Sequence, residues 1–269
     1  MNKMSEIISQ VDDINAMPGI TLDIMGLLNE RGTTIMDLTK KIKTDEALAA
    51  FILKNCNSPL YGIKSEITSI LQALTLLGFA TIKTILMSYF NKNLYSLSGK
   101  NEIKKKLWHH SISVASFSQS IASQINLNQE ESYLSGLLHD IGKLIIYKSD
   151  NELFENVLED IALSGQESYV AETKAFGFNH SEIGALIMKK WQFADVLSEV
   201  SQFHHSGLHY DNKNPYIGVV AFANLISHKE IKNETVDVSY FINKYKLSEK
   251  KIEKIISTGL DLYNGYIAF

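Results

Sequence analysis

Apolar residues recur along this chain at intervals of three and four, and no stretch of any length alternates in the manner of a strand. Leu107, His110, Val114, Phe117 and Ile121 fall on one stripe, which predicts a single long helix from Glu102 to Asn126. A second stripe, Leu134, Leu137, Leu138, Ile141 and Ile145, predicts one helix from Gln129 to Tyr147. Beyond it come an amphipathic helix over Asp150 to Leu163 with acidic residues outside, and its continuation over Tyr169 to Phe176. Asn179-x-x-Glu182 has the form of a capping box, so His180 falls in the first turn of a helix running to Trp191. Phe193 to His205 is predicted helical, Ser206 to Pro215 a polar loop, and Ile217 to Ser227 and Ser248 to Leu262 the closing helices.

The first third divides into shorter pieces. Thr44-Asp45-Glu46 is a helix start, with a capping side chain followed by acids where the helix dipole favours them. Its apolar run, Leu48, Phe51 and Ile52, stops between Asn55 and Pro59. Ser69 to Leu77 predicts a helix broken or capped at Gly78, and Ile82 to Phe90 another; Leu94 to Asn101 is the best internal boundary. The expected fold is therefore all-α, and only three prolines and fifteen glycines in 269 residues agree with that.

Composition narrows the function. A net charge of -4 gives no electrostatic case for nucleic-acid binding. Arg31 is the one arginine, so bidentate guanidinium clamps on phosphate are nearly absent. The single Cys56 excludes an intramolecular disulfide and reads as a small buried filler. No apolar run approaches the roughly 20 residues that span a bilayer, and the N-terminus lacks the pattern of a secretion signal; no membrane insertion and a cytoplasmic location are expected.

Against that plain background six ligand-type residues stand out: His110, His139, Asp140, His180, His204 and His205. Their gaps are too long for a zinc finger and imply a site assembled by several helices. His110 sits where a core aliphatic is expected, and the His139–Asp140 pair is surrounded by Ser135, Gly136 and Gly142, small residues that suggest the wall of a cleft. Imidazoles with one carboxylate suit iron, manganese or zinc better than calcium. Asp140 is placed to bridge two ions and activate water against a phosphoester, with Lys143 balancing the phosphate; these two are the candidate catalytic residues. Taken singly, His110 reads as a hydrogen-bonded core histidine, His180 as a first-turn residue and His204–His205 as a solvated pair. His109, His209 and His228 read as surface residues.

The run Gly136-Leu-Leu-His139-Asp140-Ile-Gly-Lys143 resembles the signature of the HD superfamily of metal-dependent phosphohydrolases, and the chain as a whole resembles its HDOD branch. Met17-Pro18, Thr44-Asp45, Asn57-Ser58-Pro59-Leu60-Tyr61-Gly62, Thr68-Ser69-Ile70, Trp108-His109-His110, Asn179-His180-Ser181-Glu182 and His204-His205 carry that resemblance, in order, from about Ile7 to His205. It implies a multi-helical HD-like bundle (residues 99–210) behind an N-terminal helical part (7–98), with a C-terminal helical extension (211–269). It also implies a bacterial signal-transduction module acting through other signalling proteins, with His110, His139, Asp140, His180, His204 and His205 as its metal residues. Catalytic relatives cleave phosphoesters, so a phosphohydrolase taking a nucleotide or phosphoester is the rival reading, and a ligand sensor the third. One departure bears on catalysis: Asn224 stands where HD enzymes carry a final aspartate, and the Gly-Tyr-Pro loop of the HD-GYP branch is absent.

Overall fold

The computed structural model describes residues 19–58, 61–63, 66–95, 102–191, 193–206 and 214–267. The Met17-Pro18 motif, Pro59-Leu60, the expected boundary over 96–101, most of the polar loop (207–213) and His209 lie outside the described residues. Among the described residues the chain is all helix, with no strand.

The N-terminal helices are α1 (Gly19–Asn29), α2 (Ile35–Ile42), α3 (Glu46–Cys56) and α4 (Ile70–Leu94). Local chemistry starts each of the middle two. Thr34 and Asp37 form a reciprocal capping box before α2, and the Asp45 carboxylate accepts the Leu48 N–H before α3. Asn57 ties down the chain after α3: its amide donates to the carbonyls of Leu53 and Ile67, and its oxygen accepts the Ile67 N–H at 2.7 Å. Cys56 is buried in this region and its thiol is pushed up to about 11 by burial, as befits an inert filler. The break expected at Gly78 is present: two helical segments, taken together here as α4, meet at a kink where Gly78 leaves the helical conformation at φ 75, a backbone angle favouring glycine. Taken together, the two segments of α4 are long and apolar enough to cross a membrane by length and composition, but the non-helical Gly78 divides them. Here Ile82, Ile85, Leu86 and Phe90 are fully buried in the protein core.

α5 (Glu102–Ile125) is the central beam. Ile112 and Ala115 join the core shared with the N-terminal helices and α6 (Gln129–Leu138), through Tyr133, Leu134 and Leu137. Val114, Phe117 and Ile121 join a second core with α12 (Pro215–Lys232) and α14 (Glu249–Ile267), where they meet Val219, Phe222 and Ile255. A third core lies among α7 (Ile141–Ser149), α8 (Asn151–Ser164), α9 (Ser168–Phe176) and α10 (His180–Lys190), built on Ile145, Phe154, Phe176, Ile183 and Ile187. α11 (Asp195–Phe203) and the short α13 (Ser239–Lys244) complete the bundle; α13 carries no sequence stripe long enough to predict it.

Three expectations are corrected. The helix predicted over Gln129 to Tyr147 breaks at His139–Asp140, where Asp140 takes φ -103, ψ 14; burial on both sides of the break keeps the apolar stripe running through it. α9 does not continue α8, because Gly165 caps α8 in the left-handed conformation, at φ 68. His204 and His205 lie in a 3-10 turn following α11, outside the α-helix itself.

Candidate metal centre

The break between α6 and α7 determines where the site forms. Asp140 is the N-cap of α7, yet its side chain makes no capping hydrogen bond. A capping aspartate normally stabilises a helix by about 1 kcal/mol; here the carboxylate turns instead toward histidines delivered by other elements. His139 comes from the end of α6, His110 from the stripe of α5, His180 from the first turn of α10, and His204 and His205 from the 3-10 turn.

The five predicted histidines gather around that carboxylate. Oδ2 of Asp140 lies 3.5 Å from His110 Nε2 and 3.4 Å from His139 Nε2, and accepts from Lys143 Nζ at 2.7 Å. Oδ1 lies 3.2 Å from His180 Nε2 and 3.4 Å from His204 Nε2. His180 Nε2 is in turn 2.9 Å from His205 Nε2 and 3.4 Å from His204 Nε2. The ligand atoms form two sets sharing Asp140: His110 with His139, and His180 with His204 and His205.

Neighbouring groups fix the tautomers. The Nδ1–H of His139 donates to the Gly136 carbonyl at 2.7 Å, and that of His204 to the Ser201 carbonyl at 2.8 Å. His180 donates its Nδ1–H and its backbone N–H to one Glu172 oxygen, at 2.5 and 2.8 Å. With Nδ1 committed to acceptors, each ring presents an Nε2 lone pair to the centre, as a metal ligand requires. Ligand atoms about 2.1 Å from one ion stand about 3.0–3.4 Å apart, close to the separations here. His110 Nδ1, His139 Nε2 and Asp140 Oδ1 are buried with no hydrogen-bond partner, a cost that coordination would remove at the last two. The residues fit a divalent transition ion.

Electrostatics follow burial. Burial works to raise the Asp140 carboxyl, but His139, Lys143 and His180 hold it well below the usual carboxylate range. Burial opposes the Lys143 charge, yet Asp140 and Glu172 raise it, so it remains an ammonium. Burial drives His110 and His205 well down and His204 down to about 4. His180 alone is raised: burial and Lys143 oppose its charge, while Glu172 and Asp140 outweigh them. A proton on His180 stands where an ion would, so metal uptake releases it.

The signs of these shifts predict a pH dependence. A histidine with a depressed folded pKa stabilises the fold above its unfolded value, near 6.5, and loses that contribution as pH falls toward its folded value. His110, His204 and His205 act this way. His180 has the opposite sign, contributing below 6.5 and losing it as pH rises through its raised value. With three groups against one, chelator-treated protein is expected to melt at falling temperature from pH 6.5 to about 4. A flat or rising melting temperature over that window would contradict the assignment.

Two residues escaped sequence reasoning. Glu172 is 1% exposed on α9 and orients His180; in the sequence it is one more acid in an amphipathic helix, and only its place between Ala171 and Phe176 hints at an inward position. Glu172→Gln is expected to weaken metal affinity about 10- to 100-fold while leaving the fold intact, a range typical for groups that orient a ligand; competition with a chromogenic chelator measures it. His228, read as a surface residue, lies on α12 with its ring 5.5 Å from that of His110. His109 is half-buried, its Nδ1 3.0 Å from the Tyr263 hydroxyl.

An all-helical bundle closed around a histidine–aspartate centre of this order defines an HD-type domain. The chain belongs to the HDOD domain family, whose model matches residues 14–207. Its fold is shared with a protein from Shewanella amazonensis SB2B, provisionally called a phosphohydrolase, at TM-score 0.79, 21% identity and coverage of 97% of each chain. An HDOD domain protein of unknown function from Geobacter sulfurreducens is 25% identical at TM-score 0.76, covering 99% of this chain and 91% of its own. The chain spans less than half the length of the curated relatives it matches. One is an uncharacterised protein of Treponema pallidum (strain Nichols), 25% identical over 224 residues, which are 82% of this chain and 43% of that one. Another is ribonuclease Y of Mycoplasmoides gallisepticum (strain R(low / passage 15 / clone 2)), 29% identical over 164 residues, 58% of this chain and 25% of that one.

Proposed function

We propose that this chain is a regulatory HDOD module of bacterial signal transduction. Its His/Asp centre holds one or two divalent transition ions (iron, manganese or zinc), and it acts through contacts with other signalling proteins. The observation that carries the metal is the meeting of four imidazole Nε2 atoms on the two oxygens of Asp140, with the His205 Nε2 beside that of His180 and three of the rings held by their Nδ1 atoms. His110, His139 and Asp140 Oδ2 would hold one ion, and Asp140 Oδ1, His180, His204 and His205 the other. Regulation is favoured over turnover by enclosure, since His139, Asp140, His180 and His204 are each no more than 2% exposed. Asn224, a neutral amide, in place of a further carboxylate points the same way. Elemental analysis of protein purified without chelator tests the reading: near-stoichiometric metal is expected, and its absence after supplementation overturns it.

The second reading is a phosphohydrolase, favoured by the sharing of Asp140 between two ligand sets and by Lys143 at 2.7 Å from it. A bound ion would lower the pKa of water enough to supply hydroxide near neutrality. Manganese-dependent turnover of a generic phosphodiester, or of a short RNA in view of the ribonuclease Y relative, and its loss in Asp140→Ala would establish this reading over the first.

A further inference from the structure

The hairpin of α8 and α9 presents a surface that the histidine–aspartate centre does not use. A groove of about 480 Å³ runs between the two helices, lined by Val157, Leu163, Ala171 and Ala175 together with Asp160 and Lys174. Leu163 is 87% exposed, more than any other large apolar side chain among the described residues. Val170 and Tyr169, on α9, are 38% and 36% exposed. A lone apolar residue on a surface needs no account, but several of them beside an apolar groove mark a place where another surface sits.

Charge is concentrated on the same hairpin. Between Asp150 and Gly177 the sequence has seven carboxylates and one lysine, in a chain whose net charge is only -4, so the remainder is net positive. Two of the seven are used inside the fold: Asp150 accepts the Leu153 N–H at the start of α8, and Glu172 holds His180. The other five, Glu152, Glu155, Glu159, Asp160 and Glu167, are exposed, against the single exposed ammonium of Lys174. A surface apolar in its groove and anionic around it complements a helix with leucine-type residues on one face and lysine or arginine on the other. α8 is 14 residues long, about 21 Å, so a partner helix of about four turns covers the groove. α9 also reaches the centre. The Tyr169 ring lies 4.8 Å from that of His205, and Glu172 accepts the His180 Nδ1–H. A displacement of α9 by a partner seated in the groove is therefore felt at the ligand set of His180, His204 and His205.

We propose that the α8–α9 groove docks a basic amphipathic helix of a partner protein, and that α9 carries the docking to the second ligand set. The inference rests on the preceding reading for the metal that responds; the docking itself does not require it. The test is fluorescence anisotropy of a labelled leucine–lysine peptide of about 14 residues, its leucines at three- and four-residue spacing. It is added to the full chain, chelator-treated and manganese-loaded, with metal content measured on the same preparations. Micromolar binding that weakens as salt rises is expected, and the same peptide with glutamate for lysine should not bind. Leu163→Ser should weaken binding about tenfold, the worth of burying most of one leucine side chain. Glu159→Lys combined with Asp160→Lys should weaken it at least as much at low salt. Leu76→Ser, on α4 and at a position 53% exposed, should leave it unchanged. Peptide affinity should differ several-fold between the metal-loaded and metal-free forms; equal affinity in the two removes the coupling to the centre. Wild-type protein that fails to bind the peptide, or equal affinity in wild type and Leu163→Ser, overturns the docking even when metal is fully bound. Self-association of the full chain that disappears in Leu163→Ser would assign the groove to a second copy and overturn it as well. Peptide binding that depends on Leu163 in protein that takes up no metal would instead sink the metal centre of the preceding reading and leave the docking standing.

Discussion

Replacing Asp140 with alanine is expected to abolish the proposed metal binding, because both candidate ligand sets share this one carboxylate. Its loss leaves no carboxylate facing the imidazole Nε2 atoms, Glu172 being held on His180 Nδ1, and leaves the Lys143 ammonium, only 15% exposed, without its partner at 2.7 Å. Removing one member of a buried ion pair costs about 3–5 kcal/mol, and the partial exposure of Lys143 places this case near the lower figure. Elemental analysis should find metal far below stoichiometric, and a urea titration should find the midpoint lowered. Retention of metal near the wild-type level would mean that the histidines hold it without the aspartate, and the site would have to be redrawn.

A large effect is also expected from a single methyl group that meets backbone and not a ligand atom. At Gly142 an added Cβ would overlap the carbonyl oxygen of His180 and lie 2.8 Å from the backbone nitrogen of Gly184. These are backbone atoms and cannot swing aside, so α7 and α10 must separate to admit it. Overpacking that side chains can absorb costs about 1–3 kcal/mol, and Gly142→Ala should reach or exceed the top of that range. It should also reduce metal content, because the separation carries His180 away from Asp140. Gly26→Ala, at an exposed position of α1, is the matching control. Nothing lies within 4 Å of its new Cβ, and replacing a mid-helix glycine with alanine stabilises by about 0.5–1 kcal/mol. Urea midpoints that moved equally in the two variants would show that the α7–α10 contact is not what holds the site together.

The sequence disclosed more of the ligand set than of the geometry that unites it. His110 was legible because an imidazole interrupts an otherwise apolar stripe, and His180 because Asn179 and Glu182 cap its helix. The helix break at His139–Asp140 was hidden because Leu138 and Ile141 are both buried, so hydrophobic periodicity carries across it. Only the small residues nearby signalled crowding, and Gly142 is tight against the backbone of α10 for that reason. Glu172 and His228 went unseen for a different cause. Each sits on a helix whose pattern permits a polar residue facing outward, and only tertiary packing turns Glu172 inward and brings His228 against His110.

The beam α5 has a practical corollary for anyone trimming the protein. The family match ends at residue 207, yet Val114, Phe117 and Ile121 on the helix that carries His110 pack against residues beyond it. Gly259 lies so close to the Phe117 ring that a Cβ there would collide with it. A fragment cut at the boundary of recognisable homology would bare a greasy flank on the helix that holds one of its ligands. The stretch that resembles nothing in the motif is thereby part of what keeps the recognisable part in shape.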